Sequence, residues 1–153
     1  HDYWWTTLRK LENYLVAKEF NSIVFVQNKA TKVGDCIISG TRGWILPNDS
    51  EFCSADQKIY DRELACLDLC IADMKRLDPE HSCKWILMMH YPPIIKTYMQ
   101  NEFVSKITDA SIDLCVYGHL HGLGHRLIVE DVIEGTEFKC IAADYLKFEP
   151  IEL

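Results

Sequence analysis

Three histidines stand where an imidazole could act on a ligand or a metal: His90, His119 and His121. His90 closes the apolar run Trp85-Ile86-Leu87-Met88-Met89. A buried imidazole without a polar partner costs about 1–3 kcal/mol, so a carbonyl or a metal must meet it. Taken alone, His90 reads as a core histidine bonded to a carbonyl. His119 and His121 change that balance. In a straight strand an H-x-H pair points to opposite faces. Bracketed by Gly118 and Gly122, it predicts a turn that aims both rings into one cleft. Imidazole nitrogens gathered from separate strand ends suit borderline metals such as Zn, Mn or Fe.

Other residues fall around this group with less force. His1-Asp2 at the start places a carboxylate beside an imidazole, which raises its pKa and orients it as a general acid. By composition alone, such a pair reads as a disordered chain start. Arg42, between Gly40 and Gly43, is a candidate contact for a phosphate, with a solvated loop arginine as the competing reading. His81 lies in the polar 78–82 loop, and His125 opens a strand-like run near the cleft; both read as bystanders. Asp2, Asp113 and Asp144 are the nearest carboxylates, and Asp113 begins a strand that should place it at the opposite end from the histidines.

The elements that must position these residues alternate between helix and strand. Trp4, Leu8, Leu11 and Leu15 recur at helical spacing and predict a helix over about 6–19. Ile23–Val26 and Cys36–Ser39 read as a hairpin or as neighbouring strands, followed by a long loop over 40–57. Ser54-x-x-Gln57 reads as a capping box. The helix it opens carries one stripe, Tyr60, Leu64, Leu67, Ile71, Met74 and Leu77, and stops at Asp78-Pro79. Residues 85–89 and 112–117 read as strands buried on both faces, with a short helix near 101–108 between them. Two further strands are expected near 126–130 and 137–142. Two buried strands ending in histidine follow the logic of an α/β site at the carboxyl edge of the sheet.

Composition bounds the answer. The chain has 153 residues, 48% of them hydrophobic, and 16 Lys+Arg against 23 Asp+Glu give a net charge of −7. That make-up is globular and excludes a coiled coil, a collagen-like rod and a disordered tail. The acidic balance leaves no evident nucleic-acid-binding surface and no basic patch for a membrane. No apolar run approaches the ~18 residues of a span. The seven cysteines include no C-x-x-C pair, and Cys66 and Cys70 share a helix face. They read as reduced, buried thiols of a cytoplasmic protein. Residues 1–153 read as a single unit.

These residues together resemble the calcineurin-like metallophosphoesterase superfamily. Its closing glycine-histidine-x-histidine motif stands here as Gly118-His119-Leu120-His121, and its lone histidine after a hydrophobic strand as His90, before Tyr91-Pro92-Pro93. The second half of its glycine-asparagine-histidine-aspartate motif stands as His1-Asp2. The Gly40-Thr41-Arg42-Gly43-Trp44 loop and the Asp144-Tyr145-Leu146 tail are similar to those of bacterial members. The resemblance implies the C-terminal part of a four-layer αββα sandwich with a mixed sheet. It implies two divalent metal ions (Mn, Fe or Zn), with His90 and His119 on one and His121 on the other. His1 would be the catalytic histidine, oriented by Asp2, and Arg42 would contact substrate. Two cations about 3.5–4 Å apart polarise a phosphoryl group and activate water for in-line attack on a phosphate mono- or diester.

The family's aspartate-x-histidine motif, its glycine-aspartate-x-x-aspartate motif and the asparagine before His1 would all fall upstream of residue 1. The expectation is therefore a partial phosphoesterase domain, weak in metal binding and turnover by itself, that pairs with its missing N-terminal half or with another chain. The rival expectation is a non-catalytic module in which His90, His119 and His121 hold a single zinc.

Overall fold

The computed structural model describes residues 6–153. Its elements are α1 (Leu8–Ala17), β1 (Ala30–Val33), β2 (Cys36–Thr41), α2 (Ser54–Leu77), β3 (Lys84–Met89), α3 (Glu102–Asp109), β4 (Leu114–Tyr117), a 3-10 turn (Gly122–Leu127), β5 (Asp131–Ile133) and β6 (Thr136–Cys140). The strands form one mixed sheet in the order β1-β2-β3-β4-β6-β5. The inner four are parallel, and the outer two are hairpin partners running antiparallel to β2 and β6. The architecture is α/β.

α2 packs over β2 and β1 on one sheet face. Tyr60, Leu64, Leu67, Ile71 and Met74, the stripe read from the sequence, are all buried, while Leu77 at the end of the helix is exposed. They meet the inward side chains Ile37, Trp85, Leu87, Met89, Cys115, Tyr117, Phe138 and Cys140 in one core. α3 joins it through Phe103, Val104 and Ile107, and the Phe103 ring packs edge-on against Tyr60 at 5.1 Å. A second, smaller cluster (Ile86, Leu114 and Val116, flanked by Cys36, Ile38 and Ile141) lies on the opposite face.

Several boundaries differ from the sequence reading. The hairpin partner of β2 is β1 rather than Ile23–Val26, and the residue after that segment, Gln27, makes an isolated bridge to Gly40. Gly40 and Thr41 belong to β2, so the long loop begins at Arg42. Gly40 is required there, because a Cβ would stand 2.9 Å from the Met88 carbonyl oxygen of the neighbouring strand. The helix cap is Cys53 with Asp56, not Ser54 with Gln57. The Asp56 carboxylate takes the Cys53 N–H at 2.9 Å and the Trp44 indole N–H at 3.0 Å, which holds the helix start and the loop together. β3 is buried on one face through Trp85, Leu87 and Met89 and on the other through Ile86, but Met88 on that second face is 41% exposed. Residues 122–127 form the 3-10 turn where a strand was expected, and the strand starts later, at Asp131.

All seven cysteines are free thiols. Among the described residues no helix is long and apolar enough to cross a membrane.

Candidate functional site

Cα pairing aligns Thr41, Met89, Tyr117 and Cys140, the last residues of the four parallel strands, in a single row. The chain leaves each strand at the same sheet edge. Arg42 follows β2, His90 follows β3, Gly118-His119 follows β4, and the segment leading to Asp144 follows β6. Four strand exits at one edge are what an open parallel sheet offers a ligand.

His90 and His119 come together there. Their ring nitrogens, Nε2 of His90 and Nδ1 of His119, lie 3.0 Å apart. The Gly118 N–H donates to the His90 carbonyl at 3.2 Å, tying the two exits together. His119 adopts a left-handed backbone, with φ of 68°. Such a conformation costs a non-glycine residue about 1–3 kcal/mol and turns the ring out of the strand direction. Burial, reinforced by the neighbouring His119 ring, pushes His90 down to about 4. Burial also lowers His119, with His121 adding to the effect. Both shifts favour the neutral rings, and at 3.0 Å one of the two facing nitrogens donates its proton to the other.

A wall of tilted ring contacts supports the pair. The Tyr91 ring lies 4.2 Å from His119, Trp44 lies 5.2 Å from Tyr91, and the Arg42 guanidinium sits 4.5 Å over Trp44. Gly43 makes this approach feasible. Its φ is +70°, and a Cβ there would come within 2.9 Å of Met89 and 3.3 Å of Tyr91. Arg42 is not a solvated loop side chain. Its Nη2 donates to Glu63 Oε1 at 2.6 Å, and its side chain is only 24% exposed. Glu63, buried on α2, also takes Arg62 at 3.2 Å and the Thr41 hydroxyl at 3.4 Å. Arg42, Glu63, His90, Asn28, Cys66 and Leu11 are among the residues that line an open groove of about 740 Å³.

His121 lies close in sequence but has a different partner. Its Nδ1 stands 2.7 Å from Asp144 Oδ1, and Asp144 Oδ2 takes the Gly122 N–H at 3.1 Å. The Nε2 of His125 lies 3.1 Å from the same Oδ2, an ion pair whenever that ring is protonated. The hydrogen bond from His121, followed by that from Gly122, holds the Asp144 carboxyl far below the usual carboxylate range despite its partial burial. His125 is thus part of this cluster rather than a bystander, and it sits in the 3-10 turn rather than at a strand start.

Asp113 lies at the opposite edge, as its place before β4 predicts. It binds the Trp85 N–H at 2.7 Å and His81 Nε2 at 3.1 Å, and His81 stacks on the Trp85 ring. His1 and Asp2 lie outside the described residues.

The donor set matches a borderline divalent metal in part. Two imidazole nitrogens about 2.0–2.1 Å from one cation would be separated by about 3 Å at a right angle, the spacing that His90 and His119 show. Among the described residues, however, no group of three or more His, Cys, Asp or Glu side chains could hold a metal ion. The pair supplies two donors, and His121 turns instead to Asp144.

Sequence reasoning missed Glu63, Tyr91 and Trp44 as supports, and Asp144 as the partner of His121. Glu63 carried a readable signal. It falls three residues after Tyr60 and four before Leu67, on the buried stripe, where a carboxylate needs a cationic partner. In comparisons with known proteins, no family model, no curated protein and no solved structure matches this chain.

Proposed function

We propose that this chain carries part of the active site of a metal-dependent phosphoesterase that hydrolyses phosphate mono- or diesters. The observation that carries the reading is the 3.0 Å approach of His90 and His119 at the exits of two adjacent parallel strands, beside the Arg42-lined groove. His90 and His119 would hold one divalent cation and His121 a second, with Mn, Fe or Zn as the candidates. Cations held there would polarise the phosphoryl group and make bound water more acidic. Because His90 is pushed down to about 4, its lone pair does not compete with a proton at neutral pH. Arg42, oriented by Glu63 and Trp44, faces the same groove with a fixed positive charge suited to an ester's anionic oxygens. His1, oriented by Asp2, would protonate the leaving group.

The fold part of the proposal is that this sheet forms one half of a four-layer αββα sandwich. Its support is the second apolar cluster, Ile86, Leu114 and Val116, on the face away from α2. The occupant of that face would be a second sheet, from the same protein or from another chain. A cytoplasmic location fits seven free thiols.

The test is hydrolysis of a generic aryl phosphate and an aryl phosphodiester with Mn, Fe or Zn added, comparing the natural protein with His119→Ala. Metal-dependent turnover of at least one ester, lost in the variant, is the expected result. Undiminished hydrolysis in His119→Ala overturns the assignment. One tightly held zinc per chain with no hydrolysis of either ester replaces it with the non-catalytic three-histidine module.

A further inference from the structure

We propose that Asp144 is a positioning residue for His121, holding its ring in the Nδ1-protonated tautomer so that the Nε2 lone pair is the exposed donor atom. The geometry is specific. Oδ1 of Asp144 lies 2.7 Å from His121 Nδ1 and also accepts the Tyr145 N–H at 3.0 Å. Oδ2 accepts the Gly122 N–H at 3.1 Å, from the residue directly after His121. The carboxylate is therefore bonded to the backbone on both sides of the contact and cannot turn away from the imidazole.

Its charge state decides where the proton lies. Both oxygens accept from backbone N–H groups, Tyr145 on Oδ1 and Gly122 on Oδ2, the arrangement that suits an ionised carboxylate. An ionised carboxylate only accepts. The shared proton then belongs to Nδ1, and a neutral ring must leave Nε2 bare. A carboxylate behind an imidazole also makes the opposite nitrogen a better donor. His125 adds an imidazole at 3.1 Å on the other carboxylate oxygen, and its ring lies 5.4 Å from Tyr145, whose hydroxyl donates to Glu130 at 2.9 Å. The chain leaving β6 is thereby clipped to the chain leaving β4 at the sheet edge where His90 and His119 meet. That Nε2 serves a divalent cation rests on the phosphoesterase reading; the tautomer does not.

The test uses protein with ¹⁵N-labelled histidine, free of metal, near pH 8. Long-range ¹H–¹⁵N correlation spectra report which ring nitrogen carries the proton, and His121→Gln identifies the His121 signals by their loss. The expected result is Nδ1–H for His121 in the natural protein. In Asp144→Asn, whose amide can donate as well as accept, the population should move toward Nε2–H. Mn²⁺ affinity, measured by competition with a chelator, should fall about 10–100-fold in Asp144→Asn and recover substantially in Asp144→Glu. A natural protein with Nε2–H at His121 overturns the proposal, as does an unchanged tautomer in Asp144→Asn; an unchanged Mn²⁺ affinity in Asp144→Asn overturns the cation role of Nε2 instead. If tautomer and affinity behave as stated but neither aryl ester is hydrolysed, the phosphoesterase reading fails and the role of Asp144 stands.

Discussion

His90 and His119, twenty-nine positions apart in the chain, face each other across 3.0 Å at the exits of β3 and β4. Their approach follows from register. Met89 pairs with Tyr117, so the residues just beyond each strand emerge side by side, and the Gly118–His90 backbone bond closes the gap. Both rings are half-buried, so a proton on either one meets a desolvated neighbour.

That contact predicts how stability depends on pH. An unfolded histidine titrates near 6.5, whereas folded His90 is pushed down to about 4. Between these values the unfolded chain binds a proton that the folded chain does not. Stability should therefore fall as pH drops from about 6.5 toward 4, and His119, lowered in the same direction, adds to the slope. Urea unfolding of metal-free protein at several pH values checks this, and His90→Gln should flatten the dependence. A natural protein that gains stability across that interval contradicts it.

The Arg42–Glu63 pair predicts a large effect from a residue outside the histidine cluster. Glu63→Ala removes the acceptor of a guanidinium that is 24% exposed and pinned over Trp44. Breaking a buried pair typically costs about 3–5 kcal/mol, and partial exposure of Arg42 should bring this loss to the lower end. Denaturant titration measures it. Arg62→Ala, which removes a 63% exposed partner of the same carboxylate, should cost under about 1 kcal/mol.

The backbone at His119 predicts an unusual order of variants. At a φ of 68° an alanine keeps the left-handed penalty and a glycine does not. His119→Gly should therefore be more stable than His119→Ala by roughly 1 kcal/mol, although both remove the imidazole. Thermal or chemical unfolding of the two variants side by side decides it; equal stability would mean that the turn carries no strain.

What was legible in the sequence was whatever local pattern encodes. The α2 stripe, the β3 and β4 runs and the histidines that end them were all visible, because burial imposes a period and a strand exit interrupts it. Asp113 was placed at the far edge by strand direction alone. The supports of the site were harder to read, since each depends on pairing across distance. Glu63 meets Arg42 only because α2 packs on β2, and Asp144 meets His121 only because β6 lies beside β4. Ile23–Val26 misled because β-branched composition marks a strand only where a partner edge is open, and β1 takes the edge of β2. The cap at Cys53 was hidden because a thiol is not a usual capping group; Asp56 supplies most of what the cap requires.

Tyr117 offers the last prediction, one about how the site is anchored. Its side chain is fully buried at the end of β4, and its hydroxyl both donates to the Val129 carbonyl at 2.6 Å and accepts the Val129 N–H at 3.0 Å. A single phenol thus serves both backbone groups of a buried residue that no strand reaches. Burial raises its pKa strongly, so the hydroxyl keeps its proton across the range where the protein is folded. Tyr117→Phe leaves the ring packing intact but strands a buried donor and acceptor on Val129, each worth about 1–3 kcal/mol, so a loss of about 2–4 kcal/mol is expected. Because the 122–129 segment leads directly from His121 to that anchor, amide exchange should quicken there well before it does in β3 or α2. Protection that drops uniformly through the core would instead mean that Tyr117 supports the whole sheet rather than this segment.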